Sequence, residues 1–216
     1  MSAATEGSWA DEAAEMVRTL GPLPAPIAAA MRRVPRHLFV PPRWRDAAYA
    51  DEPLPLPGGA ATISAPHMVA LQLETAALAP GLGVLEVGTG LGYLAALLSE
   101  LVGSGTTVHS VEVDPVLVAG AVRSLAAAGY SDRVEVHAAN GQFGWPPAAP
   151  YDRVIVSCAA PAILPSWRSQ VVERGTVVAP VGGPEEQVLV RWTRHGEGGE
   201  FEEGPRCRFV PLVSTR

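Results

Sequence analysis

The chain has 216 residues, of which 48% are apolar and 18% are charged, a composition that is typical of a folded globular protein and excludes a fully disordered one. The formal net charge is -6, and all 16 basic residues are arginines. The lack of lysine excludes a Schiff-base lysine. The arginines are scattered except between residues 32 and 45, where we interpret them as a solvated face, so we expect no nucleic-acid partner.

Cysteine usage and the start of the chain indicate the compartment. Cys158 and Cys207 lie far apart and form no CxxC pair, so we predict neither a disulfide framework nor a metal site. The opening sequence MSAATEGSWADEAAE is acidic, whereas a secretory signal begins with basic and then apolar residues. No apolar run approaches the ~20 residues that cross a bilayer. We therefore expect a cytoplasmic protein without membrane contact and, by default, a monomer.

The first 66 residues are predicted to form an N-terminal helical and loop segment. Apolar residues recur at helical spacing between residues 11 and 20, and a second helical stretch covers residues 27 to 34. Residues 35 to 66 then contain seven prolines, a density that forbids long regular elements and predicts an ordered layer of loops. Loops placed ahead of a core are a good position for substrate contacts.

A regular alternation of strands and helices follows a predicted helix over residues 66 to 78. GVLEVG indicates a strand, GYLAALLSELVG a helix, TTVHSVEV a strand, PVLVAGAVRSLAAAG a helix, and RVEVHAA and YDRVIVSCA two further strands. Such alternation predicts an α/β fold in which a mostly parallel sheet is flanked by helices on both faces.

Three more strands are predicted towards the C-terminus. GTVVAPVGG, EQVLVRWTR and PRCRFVPLV have strand patterns, and HGEGGEFEEG between the last two is predicted to be a hairpin loop. We find no domain boundary. The sequence therefore predicts a single domain over residues 1–216, with its core in residues 67–216.

A glycine-rich turn joins the first core strand to its helix. The segment Glu86-Val87-Gly88-Thr89-Gly90-Leu91-Gly92 allows the backbone to approach a ligand closely. The dinucleotide fingerprint G-x-G-x-x-G would need a glycine where the chain has Tyr93. The phosphate-binding loop of nucleotide hydrolases would need a lysine. The pattern G-x-G-x-G therefore argues against both of these phosphate-binding motifs.

S-adenosylmethionine is a ligand that suits this turn. Its ammonium group would be attracted by Glu86, and it carries no phosphate that must be neutralised. Glu112 ends the second core strand, where an acidic side chain can accept hydrogen bonds from a ribose diol. Asn140-Gly141 follows the third strand and could place an amide against the adenine edge. In the alternative interpretation the two glutamates merely end strands and Asn-Gly is only a turn.

Several segments together resemble the protein-L-isoaspartate O-methyltransferase family. They are VPRHLFVPP at residues 34 to 42, AYADEPLPL at 48 to 56, TISAPHMVA at 62 to 70, VLEVGTGLGY at 84 to 93, APYDRVIVSCAAP at 149 to 161 and RFVPLV at 208 to 213. The resemblance covers roughly residues 31 to 213. The glycine turn alone would indicate only the wide class of methyltransferases, whereas TISAP together with VPRHLF is specific to this family.

The resemblance implies a Rossmann-like methyltransferase fold of about seven strands that acts on the free α-carboxylate of L-isoaspartyl residues in damaged proteins or peptides. S-adenosyl-L-methionine would be the cofactor and S-adenosyl-L-homocysteine the product. The resemblance also implies that Ser64 is the catalytic residue. For the cofactor, the resemblance implies Glu86, Gly88, Thr89, Gly90, Glu112 and Gln187, and the positions of the two glycine-containing turns add Gly92, Asn140 and Gly141. The predicted substrate-binding residues are Thr62 and Ile63 beside Ser64, together with His67, Ala159 and Ala160. In the alternative interpretation Ala159 and Ala160 only form a tight strand-to-helix turn.

The chemistry of such a reaction requires little acid–base assistance. A carboxylate with a pKa of ~3.9 is already ionised at neutral pH, so we expect catalysis by positioning and desolvation. Ser64 would orient the carboxylate with one hydrogen bond. His67 could face the same pocket, although a capping role is the alternative, and Gln187 could be an ordinary edge-strand residue.

One departure from the family pattern and two alternative functions stay open. Ala139-Asn140-Gly141 stands where the family usually has G-D-G, so an amide replaces a carboxylate at the position expected near adenine. One alternative function is a dedicated aspartyl O-methyltransferase that acts on a biosynthetic precursor peptide. The other is a cofactor-binding homologue without turnover.

Overall fold

The computed structural model describes residues 3–59 and 61–213, with the backbone alone for residues 3–8. As the proline pattern predicts, the N-terminal segment contains only short elements after its first two helices. Its elements are α1 (Ala3–Thr19), α2 (Ala25–Arg33), two 3-10 helices (Arg36–Phe39 and Pro42–Ala47), and the strands β1 (Leu54–Pro55) and β2 (Thr62–Ile63), which pair antiparallel.

The core alternates strands and helices from residue 66 onwards. Its elements are α3 (Pro66–Ala76), β3 (Val84–Val87), α4 (Tyr93–Val102), β4 (Val108–Glu112), α5 (Pro115–Ala128), β5 (Val134–Ala138), β6 (Tyr151–Val156), α6 (Pro165–Arg168), β7 (Val171–Gly182), β8 (Gln187–His195) and β9 (Gly198–Cys207). Local signals set these bounds. Helix α5, for example, begins where Asp114 accepts a hydrogen bond from the Val116 N–H at 2.8 Å and ends at Gly129, whose φ is +80°.

The seven-stranded sheet has the order β5-β4-β3-β6-β7-β8-β9. Strands β3 to β7 run parallel, and β8 and β9 pair antiparallel at one edge. The sheet is therefore mostly parallel and flanked by helices, as the sequence predicts. After β5 the chain returns to the other side of β3, so a crevice opens at the carboxyl ends of β3 and β6. Ligands bind at such switch points in open α/β sheets.

Apolar side chains cover both faces of the sheet. All four residues of β3 are buried, as expected for a central parallel strand. The larger apolar cluster joins the sheet to the N-terminal segment and to helices α3, α4 and α5, while the smaller one surrounds Trp167 on the other face. Among the described residues, no helix combines the length and apolar character that crossing a membrane would require.

The predicted hairpin loop at residues 195 to 204 is wrong. The turn consists of Gly196 and Glu197, and strand β9 already begins at Gly198. Residues 198–206 of β9 are exposed, so the strand lacks the apolar alternation by which strands are recognised. The last predicted strand is also misplaced, because β9 ends at Cys207 and a single bridge joins Pro211 to Ala159.

Candidate functional site

A cavity of about 420 Å³ lies at the carboxyl ends of β3, β4 and β6. Its size falls within the range of small-molecule sites, about 300–1,000 Å³. The N-terminal segment forms one wall, and residues 210–213 near the other end of the chain form another. The predicted site residues that line this cavity are Thr62, Ile63, Ser64, Glu86, Gly88, Thr89, Gly90, Glu112 and Gly141.

The glycine turn forms the floor of this cavity between β3 and α4. Gly88 and Gly90 have φ values of +97° and +57°, a backbone conformation that residues with side chains rarely adopt. A β-carbon at Gly90 would also approach Leu56 Cδ1 to 3.1 Å. The glycines therefore allow the turn to adopt this backbone conformation and allow Leu56 of the N-terminal segment to pack closely against it.

Glu86 places a buried carboxyl group in the cavity wall. Its Oε2 accepts a hydrogen bond from Ser110 Oγ at 2.5 Å, and Ser110 Oγ lies 2.6 Å from Thr89 Oγ1. Its Oε1 has no hydrogen-bond partner among the described residues. Burial, opposed by the Ser110 hydrogen bond and assisted by the nearby Glu112, raises the pKa of Glu86 to about 8. A cationic ligand would give the unpaired oxygen of Glu86 a partner and would stabilise the ionised form of its carboxyl group.

Glu112 ends β4 and holds the glycine turn in place. Its Oε2 accepts a hydrogen bond from the Gly90 N–H at 2.9 Å, and its Oε1 accepts from the N–H groups of Val113 and Asp114 at 2.9 and 3.1 Å. A carboxylate can accept about four hydrogen bonds, so one position is left for a ligand hydroxyl. The two interpretations of Glu112, as a strand end and as a ribose acceptor, are therefore compatible.

Ser64 lies in the part of the cavity wall formed by the N-terminal segment, where Arg36 anchors it. The Arg36 Nη2 donates to the Ser64 carbonyl at 2.8 Å, and its Nε donates to the Ala48 carbonyl at 2.7 Å. The guanidinium also lies over the Tyr93 ring, 4.8 Å from its centroid. Arg36 is fully buried, so the interpretation of residues 32 to 45 as a solvated face is wrong at this position.

Gly141 brings the turn after β5 against the cavity. A β-carbon at this position would lie 2.5 Å from Val87 Cγ1, closer than packed carbon atoms allow, so only glycine fits without movement. The neighbouring Asn140 faces the turn itself, where its side-chain oxygen accepts from the Gln142 N–H at 3.0 Å. Asn140 does not line the cavity.

Other predicted residues also lie outside the cavity wall. His67 is half-exposed, and its Nδ1 and backbone N–H both contact Asp51 Oδ1 at 2.9 Å, which matches the capping alternative. The Gln187 side chain is buried and bonds the Gly183 carbonyl at 2.5 Å and the Phe209 N–H at 2.7 Å. The remaining predicted residues that do not line it are Gly92, Ala159 and Ala160.

Some cavity residues have no signal in the sequence that marks them as part of a site. Gln72 lies in helix α3, where it is buried and donates to the Val156 carbonyl at 3.0 Å. Leu212 lies in the segment predicted as a strand. That segment is drawn to the cavity because the Leu212 N–H donates to the Ala159 carbonyl and the Ala159 N–H donates to the Val210 carbonyl, both at 2.8 Å.

A parallel sheet with this switch-point cavity, a G-x-G-x-G turn and acidic residues at the ends of two adjacent strands defines a methyltransferase of the S-adenosylmethionine-dependent class. Residues 20–216 match the family model of the protein-L-isoaspartate(D-aspartate) O-methyltransferases. The chain belongs to this family.

Named relatives and solved structures agree with this assignment. A protein-L-isoaspartate O-methyltransferase of Roseiflexus castenholzii is 44% identical over 184 residues, covering 85% of this chain and 82% of the relative. One of Hyperthermus butylicus is 45% identical, covering 87% of this chain and 80% of the relative. A solved protein-L-isoaspartate O-methyltransferase superposes with a TM-score of 0.84 at 26% identity, covering 95% of this chain and 66% of that one.

A second solved structure shares the fold. It is a Plasmodium falciparum protein described as a beta-aspartate methyltransferase in complex with S-adenosyl-L-homocysteine, and its TM-score is 0.83 at 21% identity. The match covers 93% of this chain and 98% of the Plasmodium chain. The likeness in fold therefore extends over nearly the whole length of both chains.

Proposed function

We propose that this protein transfers a methyl group from S-adenosyl-L-methionine to the free carboxylate of L-isoaspartyl residues in damaged proteins and peptides. The observation that carries the proposal is the buried Glu86, which lines the cavity and has one carboxyl oxygen without a hydrogen-bond partner among the described residues, in a chain that belongs to the isoaspartyl methyltransferase family. This carboxyl group is suited to the ammonium group of the cofactor.

The described residues fit the cofactor at several points. Glu86 would pair with its ammonium group, and Glu112 would accept a ribose hydroxyl at the position that its three backbone donors leave open. Gly141 and Val87 both line the cavity and would contact the adenine ring. When bound, the cofactor supplies a methyl group on a positively charged sulfur.

Ser64 and its surroundings would hold the acceptor. An isoaspartyl carboxylate is ionised at neutral pH, so no residue needs to remove a proton from it. Ser64 lines the same cavity as Glu86, and its main chain is fixed by the buried Arg36. We infer that its hydroxyl donates a hydrogen bond that orients one carboxylate oxygen, while the apolar wall excludes water.

The methyl ester formed by the enzyme reacts further to a succinimide without catalysis. The methyl ester has a better leaving group than the acid, so the neighbouring backbone nitrogen attacks the ester carbonyl, loses its proton and releases methanol. The resulting succinimide is hydrolysed with water to a mixture that contains normal aspartate. No further group of the enzyme is needed for these steps.

The proposal also covers the domain organisation, the compartment, the class of substrate and the oligomeric state of the protein. We infer one methyltransferase domain, because Leu56 and Ser64 of the N-terminal segment line the same cavity as Glu86 of the core. A reducing cytoplasm is supported by two buried free cysteines. The net charge of -6 supports protein substrates over nucleic acid. A monomer is the simplest arrangement in which the cavity is complete.

The activity is tested with a radiolabelled cofactor and two peptides that differ only in an isoaspartyl or an aspartyl residue. We expect alkali-labile volatile methyl ester from the isoaspartyl peptide alone. Ester from the aspartyl peptide would instead support a dedicated aspartyl methyltransferase. Ester from neither peptide, with cofactor bound in calorimetry, would support a homologue without turnover and would overturn the proposal.

A variant pair tests the role of Ser64. Ser64→Ala should lower kcat about 10²-fold, which is the cost of a substrate misplaced by about 1 Å, and should leave the Kd for S-adenosyl-L-homocysteine within about twofold. Ser131→Ala is the matched control, because Ser131 is exposed, and its kcat should equal that of the unmodified protein. An unchanged kcat in Ser64→Ala would remove Ser64 from the reaction.

A further inference from the structure

Three side chains with metal-binding atoms meet at the β5 edge of the sheet, outside the cofactor cavity. Glu135 and His137 are two residues apart on β5, so both project from the same face. His109 on the neighbouring strand β4 pairs in register with Glu135. Strand pairing therefore brings together one carboxylate and two imidazoles that are far apart in the sequence.

The distances within this His109–Glu135–His137 cluster suit a small metal ion. His109 Nδ1 lies 3.1 Å from His137 Nε2 and 3.5 Å from Glu135 Oε2, and His137 Nε2 lies 3.9 Å from the same oxygen. Ligands around a tetrahedral zinc ion, at bond lengths of about 2.0–2.2 Å, are separated by about 3.3–3.6 Å. Small rotations of the two rings would therefore bring all three atoms onto one ion.

The surroundings hold the two histidines and leave the cluster accessible. The Trp145 ring stacks on His137 with a centroid distance of 4.0 Å, and the Tyr151 ring meets His109 edge-on at 6.2 Å. Stacking contacts the face of an imidazole and leaves its in-plane nitrogen free for a ligand. The histidine side chains are 19% and 17% exposed, whereas Glu135 is 61% exposed, so an ion can enter from solvent.

We propose that His109, Glu135 and His137 form a binding site for a zinc-type divalent transition-metal ion that links edge strand β5 to β4. His109 binds through Nδ1 and His137 through Nε2, and each keeps its proton on the other ring nitrogen. Water completes the coordination. Two imidazole nitrogens with one carboxylate favour zinc, cobalt, nickel or copper over magnesium and calcium, which prefer oxygen ligands.

A metal ion at this site would restrain the backbone that leads to the cofactor cavity. Edge strand β5 is followed within three residues by Asn140 and Gly141, and Gly141 lines the cofactor cavity. An ion that joins His137 to β4 would fix the strand that carries this turn. The ion takes no part in the methyl transfer, because none of its three ligands lines the cavity.

The site is tested by titrating chelator-treated, tag-free protein with Zn²⁺ in a calorimeter and with Co²⁺ in a visible spectrophotometer. We expect one equivalent of each ion to bind, and a Co²⁺ absorption band that reports nitrogen and oxygen ligands. His109→Gln, His137→Gln and Glu135→Gln should each weaken Zn²⁺ binding at least about tenfold, the lower end of the cost of losing a residue that only supports a metal ligand. Mg²⁺ should give no heat at the same concentration.

The matched control is His195→Gln on the β8–β9 hairpin. His195 Nε2 also lies 3.9 Å from a glutamate oxygen, that of Glu200, but the described structure places no second histidine in that pair. Zn²⁺ binding should be unchanged in this variant, and Zn²⁺ should raise the melting temperature of the unmodified protein by more than that of Glu135→Gln. The proposal is overturned if 1 mM Zn²⁺ does not bind, or if all variants bind it equally. In that case the contact between the two imidazoles is only a hydrogen bond.

Discussion

Glu86 shows how a functional residue can oppose stability. A carboxyl group that is removed from water and given a single hydrogen bond from Ser110 resists ionisation, so its pKa rises to about 8. The folded protein would be more stable with an apolar residue in this position. The acidic side chain is useful there only when a cation enters the cavity, because the cation then stabilises the ionised form.

Cofactor binding should therefore depend on pH through Glu86. S-adenosyl-L-homocysteine carries the same ammonium group as the cofactor, and it should bind the ionised form of Glu86 most tightly. We expect its affinity to rise by up to about tenfold per pH unit between pH 6 and 8, with release of up to one proton per ligand at pH 6.5. Calorimetry in two buffers with different ionisation enthalpies measures this proton. Glu86→Gln should bind more weakly and release none, and equal release from both proteins would exclude Glu86 as the linked group.

The same residue predicts a pH dependence of stability without ligand. The pKa of Glu86 is higher in the folded protein than its ordinary value near 4.5, so the stability that it provides is fully present below pH 4.5 and is lost as pH rises towards 8. Glu86→Gln removes this loss. Its free energy of unfolding relative to the unmodified protein should increase by up to about 1.4 kcal/mol per pH unit over that interval. Urea unfolding at pH 5, 6.5 and 8 tests this, and a constant difference between the two proteins would contradict it.

Among the secondary-structure elements, buried strands can be predicted from the sequence more accurately than strands with exposed side chains. The glycine turn and strand β3 were predictable because a buried parallel strand is a short, largely apolar run, and this one is followed directly by Gly88. Strand β9 was not predictable, since its pairing with β8 is made by backbone groups while its side chains face solvent. A pattern of apolar residues cannot report such a strand.

Contacts that depend on strand register also could not be predicted from the sequence. His109 and His137 are 28 residues apart, and only the pairing of β4 with β5 brings them together. Spacing rules for cysteine pairs could not find such a cluster. Arg36 was misassigned for a related reason, because the two carbonyl groups that it bonds, those of Ala48 and Ser64, belong to loops with no periodic pattern.

The turn after β5 packs tightly against strand β3 at Gly141. The β-carbon introduced by Gly141→Ala would lie 2.5 Å from Val87 Cγ1, so the turn, the Val87 side chain or strand β3 must move. We expect a loss of about 1–3 kcal/mol in the free energy of unfolding, as for other overpacked sites, together with weaker cofactor binding. Gly105→Ala is the control, since a β-carbon at that position would have no other atom within 4 Å, and it should change stability by less than about 0.5 kcal/mol. Equal stability of the two variants would show that the Val87 contact relaxes freely.

At the scale of the whole molecule, the cavity joins three distant parts of the chain. Ser64 belongs to the N-terminal segment, Glu86 to the first core strand and Leu212 to the last described residues, and all three line the same space. Arg36 connects the first of these parts to Tyr93 at the start of α4. A ligand in the cavity would therefore contact all three parts at once, and its binding energy would oppose the separation of any one of them.

Ligand binding should consequently stabilise the molecule as a unit. At a free concentration of 100 times its Kd, S-adenosyl-L-homocysteine should add about 2.7 kcal/mol to the free energy of unfolding. For a chain of this length the melting temperature should rise by about 5–11 °C, and proteolysis within residues 50–66 should slow in parallel. Glu86→Gln at the same ligand concentration should show a smaller shift, because the ligand loses its ionic partner. If the melting temperature rises while cleavage within residues 50–66 is unchanged, the ligand stabilises only the core, and the N-terminal segment is not part of the cofactor site.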